Sequence, residues 1–148
     1  MIRELKISDL KSVEQIEKES FKDPWSRSAF LQILMMENGW AIVCDEKGVI
    51  GYGILIALES YIHIVNLAVK ISYRRRGIGT RILATLLEYG IKKGKKFVTL
   101  EVRAYNLPAI NLYERLGFRK TKIKKSYYPD SENAIVMKRK LNLVKICG

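Results

Sequence analysis

Apolar and polar residues alternate from Ile2 to Ile7, the period of a strand with one buried face. Ser8 or Asp9 is placed to cap a helix running to about Phe21, with Leu10, Val13 and Ile16 along one side. Pro24 breaks that helix, and Ser26 can cap a second one to about Met36. Two strands follow, Trp40 to Asp45 and Val49 to Leu58, joined through Glu46-Lys47-Gly48. Gly51 and Gly53 lie inside the second strand, which therefore either bulges or admits a close neighbour. Tyr61 to Val69 reads as another strand, and Ile78 to about Lys93 as a helix with the apolar stripe Ile82, Leu83, Leu86, Leu87 and Ile91. Gly94 suits its C-terminal cap. Phe97 to Arg103 returns as a strand, Asn106 can cap a helix through about Leu116, and strands near Phe118 to Ile123 and Ala134 to Leu141 close the pattern. The order β-αα-βββ-α-β-α-ββ predicts a mixed α/β sheet covered by helices.

A chain of 148 residues fits one domain, and a 48% hydrophobic content is enough to build a core. Charged residues within the first ten positions are unlike a signal peptide. The longest apolar stretch, Val49 to Leu58, is far short of the ~20 residues of a membrane helix. Two unpatterned cysteines, Cys44 and Cys147, make no disulfide framework. These features place the chain in the cytoplasm with no membrane partner; none of them fixes an oligomeric state. The net charge of +12 comes in clusters, at Arg74 to Arg76, Lys92 to Lys96, Lys122 to Lys125 and Lys138 to Lys140. Such a field attracts polyanions, including ribosomes and phosphorylated cofactors, although a merely solvated surface would look the same.

The sharpest local feature is Arg74-Arg75-Arg76-Gly77-Ile78-Gly79 between a strand and a helix. A helix start offers unpaired amides and the positive end of the macrodipole, and glycine lets backbone approach a phosphate. Arginines add charge and forked donors. A nucleotide-triphosphate loop would end in Gly-Lys-Ser/Thr, which Thr80-Arg81 does not supply. A dinucleotide-binding fold would need a third glycine where Ile82 stands, although Glu101 mimics its ribose-binding acid. A coenzyme A loop of the form Gln/Arg-x-x-Gly-x-Gly/Ala matches at Arg74, Gly77 and Gly79. A helix start with surface arginines is the plain alternative.

Several further segments sharpen that match. They are Asn66-Leu67-Ala68-Val69, Leu100 to Asn106, Leu112 to Phe118, Pro24-Trp25-Ser26, and Tyr127-Tyr128-Pro129 followed by Ala134 to Met137. Together they resemble the GNAT superfamily of acetyltransferases, and within it the ribosomal-protein-alanine acetyltransferase (RimI) subgroup, over nearly the whole chain. The resemblance implies a mixed, mostly antiparallel sheet with a splayed central strand pair. It implies acetyl-CoA as co-substrate, held by Leu67, Ala68, Val69, by Arg74, Arg75, Arg76, Gly77, Ile78, Gly79 and Thr80, and by Asn106. It makes Glu101 the proton acceptor and Tyr113 the acid, with Trp25, Tyr127 and Tyr128 lining a peptide groove. The implied substrate is a protein N-terminus, that of a ribosomal protein, with a broader peptide or small-amine acetyltransferase as the near alternative and a basic RNA- or ribosome-binding module as the distant one. One departure is Glu132-Asn133-Ala134, where the subgroup usually reads Glu-Asp-Ala, which bears on substrate preference.

The chemistry sets its own limits. An α-amine has a pKa of about 7.7–8 against about 10.4 for lysine, so a carboxylate acting through water suffices for the former. Tyrosine's pKa near 10 lies above a thiol's 8.5, so a hydrogen bond to the departing thiolate is easier than prior protonation. Asn106 serves equally well as a plain helix cap, Glu101 as an ion-paired surface glutamate with Arg103 nearby, and Tyr113 as a packed core ring. The one histidine, His63, reads as a satisfied strand residue, and no His/Cys/Asp cluster suggests a metal.

Overall fold

A computed structural model describes residues 1–141; Cys147 lies outside them. The strands are β1 (Ile2–Glu4), β2 (Gly39–Asp45), β3 (Val49–Ala57), β4 (Tyr61–Val69), β5 (Phe97–Arg103), β6 (Arg119–Lys124) and β7 (Ala134–Lys140). The helices are α1 (Leu10–Ser20), α2 (Arg27–Leu34), α3 (Ile78–Lys92) and α4 (Leu107–Arg115). One seven-stranded sheet runs β1-β2-β3-β4-β5-β7-β6, and only the β4–β5 pair is parallel. No described helix is long and apolar enough to cross a membrane.

The elements follow from the residues that bound them. Ser26 Oγ accepts from the Ala29 amide to start α2, and Asn106 Oδ1 accepts from the Ala109 amide to start α4. Gly94, with φ 72°, ends α3 in the left-handed conformation its neighbours would resist. The first strand is shorter than its alternation predicts. Asp9 accepts from the Lys6 amide at 2.8 Å and pairs with Arg3, which winds residues 7–9 into a 3-10 turn before Ile7 can join the sheet.

Two apolar layers sandwich the sheet. Leu10, Val13, Ile16 and Phe30 pack α1 and α2 against Val43, Tyr52 and Ile54 on one face. Ile82, Leu83, Leu86 and Leu87 of α3, with Ile110 and Tyr113 of α4, pack against Leu55, Ile62, Ile64 and Leu100 on the other. The strand glycines serve this second layer by admitting a close neighbour rather than by bulging. A Cβ at Gly53 would lie 2.7 Å from Ile82 Cγ2, and one at Gly51 2.9 Å from Ile82 Cδ1. The bulge in this pair lies further along, where Ile54 pairs with Asn66 but Leu55 pairs with Ile64. Val65 is the extra residue. It moves the side-chain alternation by one, so Ile62, Ile64, Leu67 and Val69 all meet the α3 layer while Ala68 meets the α1 layer.

Candidate active site

Beyond that bulge the sheet opens. β4 and β5 pair from Tyr61↔Phe97 to Ile64↔Leu100 and no further. Leu67, Ala68 and Val69 keep their β3 partners, while Glu101, Val102 and Arg103 pair only with β7. The strand edges between them are left unladdered, as the expected splayed pair requires. A cleft of about 1130 Å³ lies there, lined by both strand ends, by the start of α3 and by α4.

The turn into α3 forms one wall. Arg75 (φ 64°) and Gly77 (φ 79°) both take left-handed backbone, and the first internal helix bond runs from the Arg81 amide to Gly77 O at 3.1 Å. Gly77 has no side chain to cap the amides of the first turn, and nothing lies within 4 Å of where its Cβ would be. The turn therefore offers open space, free donors and a positive helix end to an anion. Gly79 differs: a Cβ there would meet Leu112 Cδ2 at an ordinary 3.5 Å, which is why a Gly/Ala alternation is tolerable at that position. Arg74, Arg75, Gly77, Ile78, Gly79 and Thr80 all line the cleft. Arg76 does not; its guanidinium stacks 5.0 Å from the Tyr73 ring. Arg74 lines the cleft but bends back, donating from Nε to Val69 O and from a terminal nitrogen to Ser20 Oγ, so it ties the loop to β4 and α1.

Glu101 and Tyr113 reach this cleft from opposite faces of the sheet. On β5 the apolar Val98, Leu100 and Val102 turn toward α3, which sends Glu101 to the other side. Its Oε2 is bonded by the Lys124 ammonium, and its Oε1 accepts from the Tyr127 hydroxyl at 3.1 Å. His63 Nε2 stands 3.7 Å from that same Oε1, its Nδ1 being 2.6 Å from Thr99 Oγ1. Hydrogen bonding to Glu101 raises the Lys124 pKa and holds its charge. Burial lowers the His63 pKa more than Glu101 restores it, so the ring is neutral near pH 7. Tyr113 is buried against Phe118, and burial pushes its hydroxyl pKa up to about 12. Asn106 lines the cleft while also capping α4.

Two clusters around the cleft were not visible in the sequence. Arg103, the partner of the alternative in which Glu101 is an ion-paired surface residue, does not bond it. It instead bonds Asp130 and Glu132 of the β6–β7 connection and Asp23 of the α1–α2 connection, with Tyr128 stacked 4.1 Å away. The bond from the Glu132 amide and then Arg103 bring the Asp130 pKa down to about 2. Arg103 thus straps together two connections whose residues Trp25 and Tyr128 line the cleft, whereas Tyr127 reaches the site through Glu101. Second, the buried carboxylate of Glu17 accepts from the Tyr52 hydroxyl, from Asn66 Nδ2 at 2.7 Å and from the Trp25 amide at 3.0 Å. It joins the α1–α2 connection to the β4 bulge. Only pairing across the sheet brings such distant residues together. Arg103→Ala is expected to leave three carboxylates without their shared cation. The two connections should then exchange their amide hydrogens about tenfold faster around Trp25 and Tyr128, with exchange in α3 unchanged, read by hydrogen exchange.

A splayed parallel pair, an open helix start, and Glu101 and Tyr113 lining one cleft are features that suit an acyl-CoA-dependent transferase. Residues 10–118 match the acetyltransferase (GNAT) family, and the chain belongs to it. Acetyl-CoA is the co-substrate this family uses. The chain is 39% identical over 143 residues to an uncharacterized N-acetyltransferase of Methanocaldococcus jannaschii, covering 95% of this chain and 91% of that one. It is 34% identical over 141 residues to the putative ribosomal protein bS18-alanine N-acetyltransferase of Bacillus subtilis, covering 92% of each. The crystal structure of the ribosomal-protein-S18-alanine N-acetyltransferase of Escherichia coli superposes with a TM-score of 0.88 at 31% identity, over 98% of this chain and 96% of that one. The chain is an N-acetyltransferase. Among the described residues no group of three or more His, Cys, Asp or Glu side chains could hold a metal ion.

Proposed function

We propose that this N-acetyltransferase acetylates the α-amine of a protein N-terminus, that of a ribosomal protein. The observation that carries the reading is the convergence of Gly77–Thr80, the β4 edge, Glu101 and Tyr113 on one cleft. The residues fit acetyl-CoA, because the open space at Gly77 and the free first-turn amides suit a diphosphate. The unladdered edge at Leu67, Ala68 and Val69 suits an amide-bearing arm. Acetyl-CoA, when bound, supplies an acyl thioester.

The remaining work falls to side chains. Glu101 accepts the amine's proton, directly or through one water, with His63 Nε2 3.7 Å from its Oε1, beyond direct hydrogen-bond reach. An α-amine loses that proton readily near neutral pH. Tyr113 donates a hydrogen bond to the departing sulfur. With its pKa at about 12 and a thiol's near 8.5, full proton transfer would be uphill by about 5 kcal/mol, so the proton stays on the tyrosine. Trp25, Tyr127 and Tyr128 border the path by which a peptide enters. Asn133 Oδ1 accepts from the Ser126 amide at 2.9 Å, a bond that an aspartate would also make. The change at this position therefore keeps the loop while removing a charge. The exposed Arg119, Lys120 and Lys122 of β6 give the enzyme a basic edge toward a ribosomal partner.

A panel of peptides tests this. Ribosomal-protein N-termini beginning with alanine should release thiol and gain one acetyl group on the α-amine, at least a hundredfold faster than N-blocked peptides with lysine. Equal rates on the blocked lysine peptides would overturn the reading.

A further inference from the structure

The carboxylate assigned as proton acceptor is already engaged in the free protein. Lys124 bonds Oε2, Tyr127 donates to Oε1, and His63 lies beyond. The charged and titratable groups facing Glu101 are Lys124 from β6, His63 from β4, and Tyr127 and Tyr128 from the β6–β7 connection, while Arg103, two residues along β5, is turned to its own carboxylates. Arg103 is held by Asp23, Asp130 and Glu132, which outnumber it, and burial lowers the His63 pKa. Lys124 is therefore the cation that neutralises Glu101 itself. An amine arriving at Glu101 as an ammonium ion would compete with the lysine for that carboxylate and be repelled by it; one arriving neutral would not.

We propose that Lys124 is a specificity-determining residue, an internal ammonium beside Glu101 that disfavours the charged form of the incoming amine and so selects amines that shed their proton easily. The inference rests on Glu101 being the acceptor. An α-amine is partly neutral near pH 7, whereas a lysine side chain is almost wholly charged. Lys124 therefore widens the gap between them. It also lowers the pKa of the bound α-amine, which keeps the reaction running at neutral pH. The side chain is 39% exposed, so replacing it leaves the core packed.

The test uses the protein saturated with coenzyme A and a peptide with a free N-terminus. Affinity is read by titration calorimetry at pH 6 and pH 8.5, alongside the pH profile of kcat with acetyl-CoA. In Lys124→Met the charged peptide should bind about tenfold tighter than wild type at pH 6, with little change for its N-acetylated copy. The acid limb of kcat should move up by about one pH unit. Lys124→Arg should restore both, and the shift should persist in a His63→Gln background, which excludes the imidazole as its source. Superposable profiles and equal affinities in Lys124→Met would overturn the proposal, as would a uniform loss of rate with an unmoved limb. The assignment of Glu101 fails by a different sign, a Glu101→Gln enzyme that keeps its full rate.

Discussion

Glu101→Gln is expected to lower kcat on a free peptide N-terminus by about 10²–10⁴-fold while acetyl-CoA affinity stays within about twofold of wild type. The amide keeps the shape of the carboxylate and its place on β5, between buried Leu100 and Val102. What it loses is the capacity to hold a proton. Lys124 loses an anionic partner but remains partly exposed, so water replaces the bond and the fold keeps its stability. His63, at 3.7 Å, is the next group able to take the proton, and the residual rate should therefore fall further in a Glu101→Gln, His63→Gln pair. Single-turnover kinetics separate this from substrate binding. An unchanged rate would remove Glu101 from the mechanism.

Gly77→Asp is expected to weaken acetyl-CoA binding about a hundredfold, measured by calorimetry. Aspartate tolerates left-handed backbone better than most residues, and nothing lies within 4 Å of the added Cβ, so strain and clash contribute little. The dominant change is a negative charge beside the free amides that would otherwise receive the diphosphate. A few kcal/mol of repulsion at intermediate dielectric corresponds to that loss. Gly77→Asn has nearly the same shape without the charge and should weaken binding only a few-fold. Equal losses in the two variants would mean that backbone geometry, not phosphate recognition, is what the glycine provides.

Local pattern made much of this enzyme legible. β4 and β5 were predicted with their observed ends, because alternation and β-branched content are strong there and turns bound both strands. The caps at Ser26, Asn106 and Gly94 were readable because each is satisfied by near neighbours in the chain. β1 was overestimated because Asp9, which cuts it short, acts through Arg3 and Lys6 rather than through periodicity. The glycines of β3 were ambiguous until α3 was seen packed on them.

The site was legible where its residues are contiguous and obscure where they are not. The turn from Arg74 to Gly79 stands out as a basic, glycine-containing run, yet Arg74 spends its donors on Val69 O and Ser20 Oγ rather than on the open space at Gly77. His63 looked like a satisfied strand residue. Its position next to Glu101 comes from the parallel register that sets it opposite Thr99, one residue before β5 leaves the ladder. Lys124 reads as part of a basic run, and no motif or periodicity singles out Glu17. Neither role can be seen without knowing which strand lies beside which.

The most direct measurement is a crystal structure with a bisubstrate analogue, coenzyme A joined through a short linker to the α-nitrogen of an alanine-starting peptide. The expected density runs from the amides after Gly77, between the ends of β4 and β5, with the sulfur within hydrogen-bond reach of the Tyr113 hydroxyl. The α-nitrogen should lie no more than one water away from Glu101. An analogue bound elsewhere, or one whose linker sits far from both side chains, would contradict the account.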